Sequence, residues 1–265
     1  MAKESTLLVV DVGNTNIVLG VFQGVRLLTS WRFATARERT ADEYGILATQ
    51  LSAAVLTGQF DGAIVASVVP PVNSAIAEMI RKYYGLDPLF VEPGIKTGLS
   101  IHTENPLEVG ADRIVNAVAA FELYKGPTVI VDFGTATTFD LVSSRAEYLG
   151  GVIAPGLTVS SEALFARAAR LPRVDIRRPA QLVGTNTVAS MQSGIYFGYL
   201  GLVDGILARM REEIPGLKTV VATGGLAPLL AEDSEHIDTV DLELTLRGLK
   251  IIYDRNLPAV KRRRR

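Results

Sequence analysis

One short pattern, present twice, constrains this chain more than anything else in it. The apolar run Thr6 to Val10 ends in Asp11-Val-Gly-Asn-Thr-Asn16, and the apolar run Thr128 to Val131 ends in Asp132-Phe-Gly-Thr-Ala-Thr137. Each is followed by a second apolar run, Ile17 to Phe22 and Phe139 to Val142. A β-rich run, a glycine turn and a returning run predict a β-hairpin. Asp11 and Asp132 stand 121 residues apart in a chain of 265, close to half its length. That spacing predicts an internally duplicated α/β protein with a cleft between its halves.

The remaining periodicity fills in each half. Gly20 breaks the second run, and Val25 to Phe33 reads as a third strand. Thr40 with Glu43 forms a capping box, and Ile46, Leu47, Leu51, Ala54 and Val55 predict the apolar face of the helix that follows. Ala63 to Val68 is a buried strand stopped by Pro70-Pro71, then come a helix from Val72 to Gly85 and a short strand, Leu89 to Val91. Pro93 to Glu108 reads as loop, Ala111 to Tyr124 as helix. The second half continues with a strand from Tyr148 to Ile153 and a helix from Thr158 to Arg170. A long helix, Thr187 to Arg211, carries Gly194, Gly198, Gly201 and Gly205, which would permit close helix packing, including across a subunit interface. Thr219 to Ala222 is a strand leading into Thr223-Gly224-Gly225, and Leu244 to Tyr253 is the last helix.

A glycine just past a strand lets backbone N–H groups approach a phosphate. Asn14, Thr15 and Asn16 add side-chain donors in the first turn, as Thr135, Thr137 and Thr138 do in the second. Asp11 and Asp132 supply hard oxygens for a cation or its waters. Either turn alone would be an ordinary hairpin turn with Asx caps; the repeat favours two turns clasping a triphosphate. Thr223-Gly224-Gly225 would admit a nucleoside against bare backbone, or be a plain strand-to-helix turn. Gly110-Ala111-Asp112-Arg113 opens a helix. Asp112 would serve as general base toward a hydroxyl and Arg113 would fork onto a carboxylate or phosphate; on these four residues alone, Asp112 complementing the helix dipole is the simpler reading. Neither a Walker sequence nor Gly-x-Gly-x-x-Gly occurs.

Composition narrows the chemistry. With 48% hydrophobic and 21% charged residues the chain is globular in kind. There is no cysteine, which removes disulfides, thiolate metal sites and cysteine nucleophiles. His102 and His236 are too few for a multi-histidine centre, so a metal would be held by oxygen, as magnesium or an alkali ion is. The net charge is −1, but Lys261 to Arg265 carry +5, leaving −6 on the rest. An acidic body argues against nucleic-acid binding. No apolar run approaches the ~18 residues of a membrane span, and Met1 to Thr6 lacks a signal-peptide pattern, so the expected location is cytoplasmic.

Taken together these stretches resemble the superfamily of acetate and sugar kinases, actin and heat-shock chaperone ATPases, and within it the type III pantothenate kinases. The resemblance runs through Asp11-Val-Gly-Asn-Thr-Asn, Ser67-Val-Val-Pro70, Pro93 to Gly98, Asn105 to Arg113, Asp132 to Thr137, Gly150 to Gly156, Asn186-Thr187, Met191 to Gly194 and Ala222 to Leu226, in family order. It implies an α/β fold of two tandem ribonuclease-H-like, actin-like ATPase domains with a nucleotide cleft between them, here 1–118 and 119–258 with a basic tail at 259–265. It implies a homodimer that phosphorylates pantothenate on its terminal hydroxyl with ATP, the first committed step toward coenzyme A, using a magnesium ion and a monovalent cation, potassium or ammonium. Carried over by position, Asp11, Gly13, Asn14, Thr15, Asn16 and Val18 form the first phosphate motif, with Asp11 also toward metal. Asp112 is the catalytic base, and Gly110, Ala111, Asp112 and Arg113 meet pantothenate. Asp132 holds the monovalent cation; Gly134, Thr135, Gly224 and Gly225 meet ATP; Thr187 lines the pantothenate pocket, of its own or the partner subunit. Many relatives carry a substrate-contacting tyrosine where this chain has Thr103, which keeps a hydroxyl but not the volume. A kinase of the same superfamily with another hydroxyl acceptor, or a regulatory protein that kept the fold, are the competing expectations.

Overall fold

The computed structural model describes residues 4–53, 55, 58–168 and 171–263, with side chains through Leu257. Ala54 and Arg170, and the side chains of the basic tail, lie outside the described residues. In chain order the strands and helices of the first part are β1 (Thr6–Val12), β2 (Asn16–Gln23), β3 (Arg26–Ala34), α1 (Ala41–Ala53), β4 (Gly62–Ser67), α2 (Pro70–Tyr84) and β5 (Leu89–Phe90). Next come β6 (Ser100–Ile101), a 3-10 turn (Pro106–Glu108), α3 (Ala111–Tyr124), β7 (Thr128–Phe133), β8 (Ala136–Val142), β9 (Glu147–Pro155) and α4 (Leu157–Arg167). The chain closes with α5 (Thr187–Glu213), β10 (Thr219–Gly224), α6 (Ala227–Ala231), β11 (Thr239–Val240) and α7 (Leu244–Arg263).

The duplication is real at the level of topology. One sheet has the order β3-β2-β1-β4-β5 and the other β11-β10-β7-β8-β9-β6. Apart from β6, an edge strand parallel to β9, the second is the first over again: an antiparallel three-strand meander, then two strands parallel to its first member. Contacts divide the chain into two units. Unit 1 holds 1–99, 104–119 and 244–265; unit 2 holds 100–103 and 120–243. A single cut near residue 118 therefore does not describe the division, because α7 returns to unit 1. Its Leu246, Leu249 and Ile252 pack with Val115 and Val118 of α3 against Leu7, Val9, Ile64 and Ala66 on one face of the first sheet. Nothing local in Leu244 to Tyr253 encodes that choice of partner.

The other face of the first sheet (Leu8, Val10, Val12, Val65) packs on α1 and α2 through Tyr44, Ala48, Ile76, Met79 and Ile80. Burying a side chain of this size stabilises the fold by roughly 1.5–3 kcal/mol. The periodicity mistook which face of α1 does this. Ile46 is 51% exposed and Val55 42%, while Tyr44, Gly45, Ala48 and Ser52 are buried. Gly45 is buried because the Tyr83 ring lies on it, leaving no room for a Cβ. Gly20 does not break β2: it sits inside the strand, where a Cβ would stand 2.7 Å from Val9 Cγ2. The third strand starts one residue late, since Val25 is in the turn. The stretch read as loop, 93–108, contains β6 and the 3-10 turn, both too short for periodicity to reveal. Helix α2 opens on Pro70-Pro71, tolerated where N–H groups are unpaired anyway, and closes on Gly85, whose φ of 66° suits the left-handed cap.

Unit 2 repeats the logic. Val129, Val131, Phe133 and Phe139 face Tyr196, Tyr199, Val203 and Leu207 of α5. Helix α5 starts where the sequence places it, the Asn186 side chain accepting from Ala189 N at 2.9 Å.

Candidate active site

In unit 1 the parallel neighbours β1 and β4 end side by side, with Val12 in register with Ser67. Ligands of open α/β sheets collect outside such carboxyl ends. Asp11 follows Leu7 and Val9 on the face that packs on α3, by the two-residue period of a strand. The chain then turns: Gly13 N donates to Asn16 O at 2.9 Å. Thr35, just past β3, straps this turn to the sheet. Its hydroxyl donates to Gly13 O at 2.6 Å and its amide to Thr15 O at 3.0 Å. With the carbonyls of Gly13, Thr15 and Asn16 taken inside the fold, Asn14 and Thr15 stand exposed at the tip. Val18 pairs with Asp11 across the hairpin and lends its side chain to the core below.

The start of α3 comes to the same strand ends. Val68 N donates to Val12 O at 3.0 Å, and a Cβ on Gly110 would lie 3.5 Å from Val68 Cγ1. The same Cβ would lie 2.6 Å from Asp112 Oδ1, so glycine at 110 is what lets the Asp112 carboxylate fold back over the helix start. There Asp112 Oδ1 accepts from Arg113 N at 2.7 Å. A helix N-terminus favours a negative charge, and Ala111 and Arg113 follow in the first turn of α3. Unit 1 thus brings together two sequence-distant pieces, Asp11 with its Gly13–Asn16 turn and the Gly110–Arg113 segment.

In unit 2 the equivalent turn is one residue shorter. Phe133 pairs with Thr137, and Gly134 N donates to Ala136 O at 3.0 Å; in unit 1 the flanking pair is Val12 and Ile17. The third glycine turn belongs to this site, which its own sequence left open. Strand β10 lies parallel to β7 with Thr223 opposite Asp132 and Gly224 opposite Phe133. Gly224 has φ of 89°, and a Cβ there would stand 2.7 Å from Asp132 Oδ1 and 2.6 Å from Phe133 O. The Asp132 carboxylate therefore rests against Gly224, with Gly134 alongside.

Two expected donors point elsewhere. Strand alternation puts Thr137 and Thr138 on opposite faces of β8, and neither offers its hydroxyl to the turn. Thr137 is buried against Tyr199, and Thr138 Oγ1 donates to the buried Asp140 at 2.9 Å, which also accepts from Tyr148 OH at 2.6 Å. Of the three threonines, Thr135 is the one exposed at the tip, beside the exposed Gly134. The sequence also gave no sign of what holds this turn. Gly156 N donates to Thr135 O at 3.1 Å, and a Cβ on Gly156 would collide with the carbonyls of Gly134 and Thr135. Thr103 sits just past β6 in unit 2; its Oγ1 is buried with no hydrogen-bond partner in the protein. Thr187 is the exposed first residue of α5. The loop before it is tied to that helix by Ser193 Oγ donating to Leu182 O and by Ser190 Oγ donating to Gly184 O.

Residues 7–209 match the family model described as type III pantothenate kinase. The chain is 57% identical to the type III pantothenate kinase of Koribacter versatilis, across 97% of this chain and 98% of that one. The chain belongs to the type III pantothenate kinase family. It is an ATP-dependent phosphotransferase acting on pantothenate, in coenzyme A biosynthesis. Among solved structures, a conserved putative Baf family transcriptional activator from Campylobacter jejuni superposes with a TM-score of 0.59 at 20% identity, covering 95% of this chain and 99% of that one. A putative 2-dehydro-3-deoxygalactonokinase from Sinorhizobium meliloti gives 0.58 at 14%, covering 95% and 99%. At such identities these two speak for the fold alone, the two-domain fold of actin-like ATPases and sugar kinases. Family membership as a pantothenate kinase also decides against another acceptor or a purely regulatory protein. Among the described residues no group of three or more His, Asp or Glu side chains could hold a metal by itself, and no helix is long and apolar enough to cross a membrane.

Proposed function

We propose that the phosphorylation of pantothenate is carried out by the residues at these strand ends, with Asp112 as the base. What supports this most is that Asp112 and the Gly13–Asn16 turn share one end of the first sheet. In an in-line displacement the hydroxyl oxygen of pantothenate bonds to the γ-phosphorus of ATP as the bond to the β,γ-bridging oxygen breaks and ADP leaves. Asp112 accepts the hydroxyl proton. Arg113 holds the pantothenate carboxylate in its planar fork, with the Gly110 and Ala111 backbone beside it. Thr103, whose buried hydroxyl has no protein partner, bonds to the substrate; leaving such a group unpaired would cost about 1–3 kcal/mol. Thr187, of its own or the partner subunit, also meets pantothenate. Asn14, Thr15, Asn16, Gly134 and Thr135 hold phosphate oxygens of ATP, and Gly224-Gly225 leaves bare backbone for the nucleoside. Positioning and charge neutralisation supply most of the acceleration.

The donors at Asp132 suit a cation: a carboxylate oxygen packed close against Gly224, hard oxygen chemistry, and no cysteine thiol in the chain to compete. Asp132 would hold the monovalent ion, potassium or ammonium, and Asp11 magnesium or its waters. Magnesium commonly takes one or two carboxylates plus substrate phosphates. When bound, these ions neutralise the charge of the triphosphate. The reaction is placed in the cytoplasm, and the working form is a homodimer. In support of the dimer, Gly194, Gly198 and Gly201 on α5 have nothing within 4 Å of an added Cβ. Leu182 and Val183 just before that helix and Val188 in its first turn are exposed.

Asp112→Asn keeps the size of the side chain and removes the base. Turnover should fall on the order of 10²–10⁴-fold while ATP still binds. Near-normal turnover in that variant would take Asp112 out of the role.

A further inference from the structure

Tyr199 lies in the middle of α5, 6% exposed, among Phe139, Ala154 and Leu157. Its phenol oxygen is 2.6 Å from Thr137 Oγ1 and 3.0 Å from Pro155 O. Both partners accept from the tyrosine hydroxyl, the Thr137 oxygen at the shorter distance and the Pro155 carbonyl, which can only accept. Those two partners bracket the second glycine turn. Thr137 is the residue that pairs with Phe133 across it. Pro155 precedes Gly156, whose amide donates to Thr135 O at the tip. One buried hydroxyl thus fixes both the strand that leaves the turn and the strand end that clamps it. Turns between strands are ordinarily the mobile parts of a fold, whereas donors that hold a phosphate act by being in place beforehand.

We propose that Tyr199 is a positioning residue for the Gly134–Ala136 turn, holding it in the geometry that binds the phosphates of ATP. Tyr199 does not touch ATP; it acts through Thr137 and through Gly156. This rests on the reading of that turn as a phosphate site.

The test uses Tyr199→Phe, which keeps the ring and removes the hydroxyl, and Thr137→Val, which is close in shape and removes the other partner. Steady-state KM and kcat are measured for ATP and for pantothenate separately. Binding of a non-hydrolysable ATP analogue and thermal melting are followed in parallel. Loss of one buried hydrogen bond at a positioning site is worth a change of about 5- to 10-fold. The KM for ATP and the analogue Kd should rise by that factor in each single variant, with the KM for pantothenate moving less than about twofold. The double variant should be no worse than Tyr199→Phe alone, because that substitution already removes the bond to Thr137 together with the one to Pro155. A lowered melting temperature with unchanged ATP parameters would overturn the proposal and leave Tyr199 as packing. Equal rises for both substrates would overturn it too, as a general loss of structure. Thr135→Val, tested alongside, separates the two layers. If it weakens ATP binding and Tyr199→Phe does not, the Tyr199 proposal alone fails. If neither variant does, the turn is not the phosphate site.

Discussion

Replacing Gly224 by alanine places the whole account of the second turn under strain. The backbone there has φ of 89°, and the new Cβ would stand 2.6 Å from Phe133 O and 2.7 Å from Asp132 Oδ1. An L-residue in left-handed backbone costs about 1–2 kcal/mol, and forcing a methyl into a filled space costs about 1–3 kcal/mol more. The combined loss, roughly 2–5 kcal/mol, is within the 5–15 kcal/mol that typically holds a protein folded. The variant should therefore fold and melt about 5–20 °C lower, at roughly 2–4 °C per kcal/mol for a chain of this size. Activity should suffer further, because the neighbour that must give way is the Asp132 carboxylate. A displacement of ~1 Å in a positioned group can cost on the order of 10²-fold. Gly216→Ala is the matched control: its φ is 75° but nothing lies within 4 Å of an added Cβ. It should show only the backbone term, about 1–2 kcal/mol, with kcat/KM unchanged. Differential scanning calorimetry and an ADP-release assay on both variants read this out. Equal melting temperatures for the two, or full activity in Gly224→Ala, would refute the reasoning.

Two further outcomes are expected. Asp132→Ala should abolish the dependence of turnover on potassium; activity that still climbs with potassium would move the cation elsewhere. Arg178, hydrogen-bonded to Asp233 at 2.5 Å, and the Tyr196 hydroxyl at 2.8 Å hold the Asp233 carboxyl below its ordinary value. The stability this contributes is fully present above the unfolded-state value and is lost as pH falls through the lower folded value. Urea melts from about pH 6 to about pH 3 should lose less stability in Asp233→Asn than in the parent; equal losses would show that this ion pair does not couple to acid unfolding.

The two hairpin turns and their duplication were legible because each is local: a strand, an aspartate, a glycine and a returning strand leave their mark in about ten consecutive residues. The shared five-strand order of the two sheets, β6 apart, shows that so short a signal stood for a whole domain. What stayed hidden is non-local. Tyr199 looks like any other apolar position of a long helix, and only the fold sets its hydroxyl between Thr137 and Pro155. Thr35 likewise carries no mark of the turn it straps. Thr137 and Thr138 were legible as hydroxyls near a turn, but strand alternation sends one to α5 and the other to Asp140. The face of α1 was misjudged because its core contact runs through a tyrosine, a glycine under the Tyr83 ring and a serine, while Ile46 faces outward. The return of α7 to unit 1 was out of reach for the same reason: the space beside Val115 that admits Gly248 is made by a helix more than a hundred residues earlier.

The most direct test of the central claim is ADP release by the purified chain, with ATP and magnesium, as pantothenate is added with and without potassium. ADP formation that requires pantothenate, rises with potassium and collapses in Asp112→Asn is the predicted result. A folded protein that releases no ADP in response to pantothenate, or one whose Asp112→Asn variant keeps pace with the parent, would contradict it.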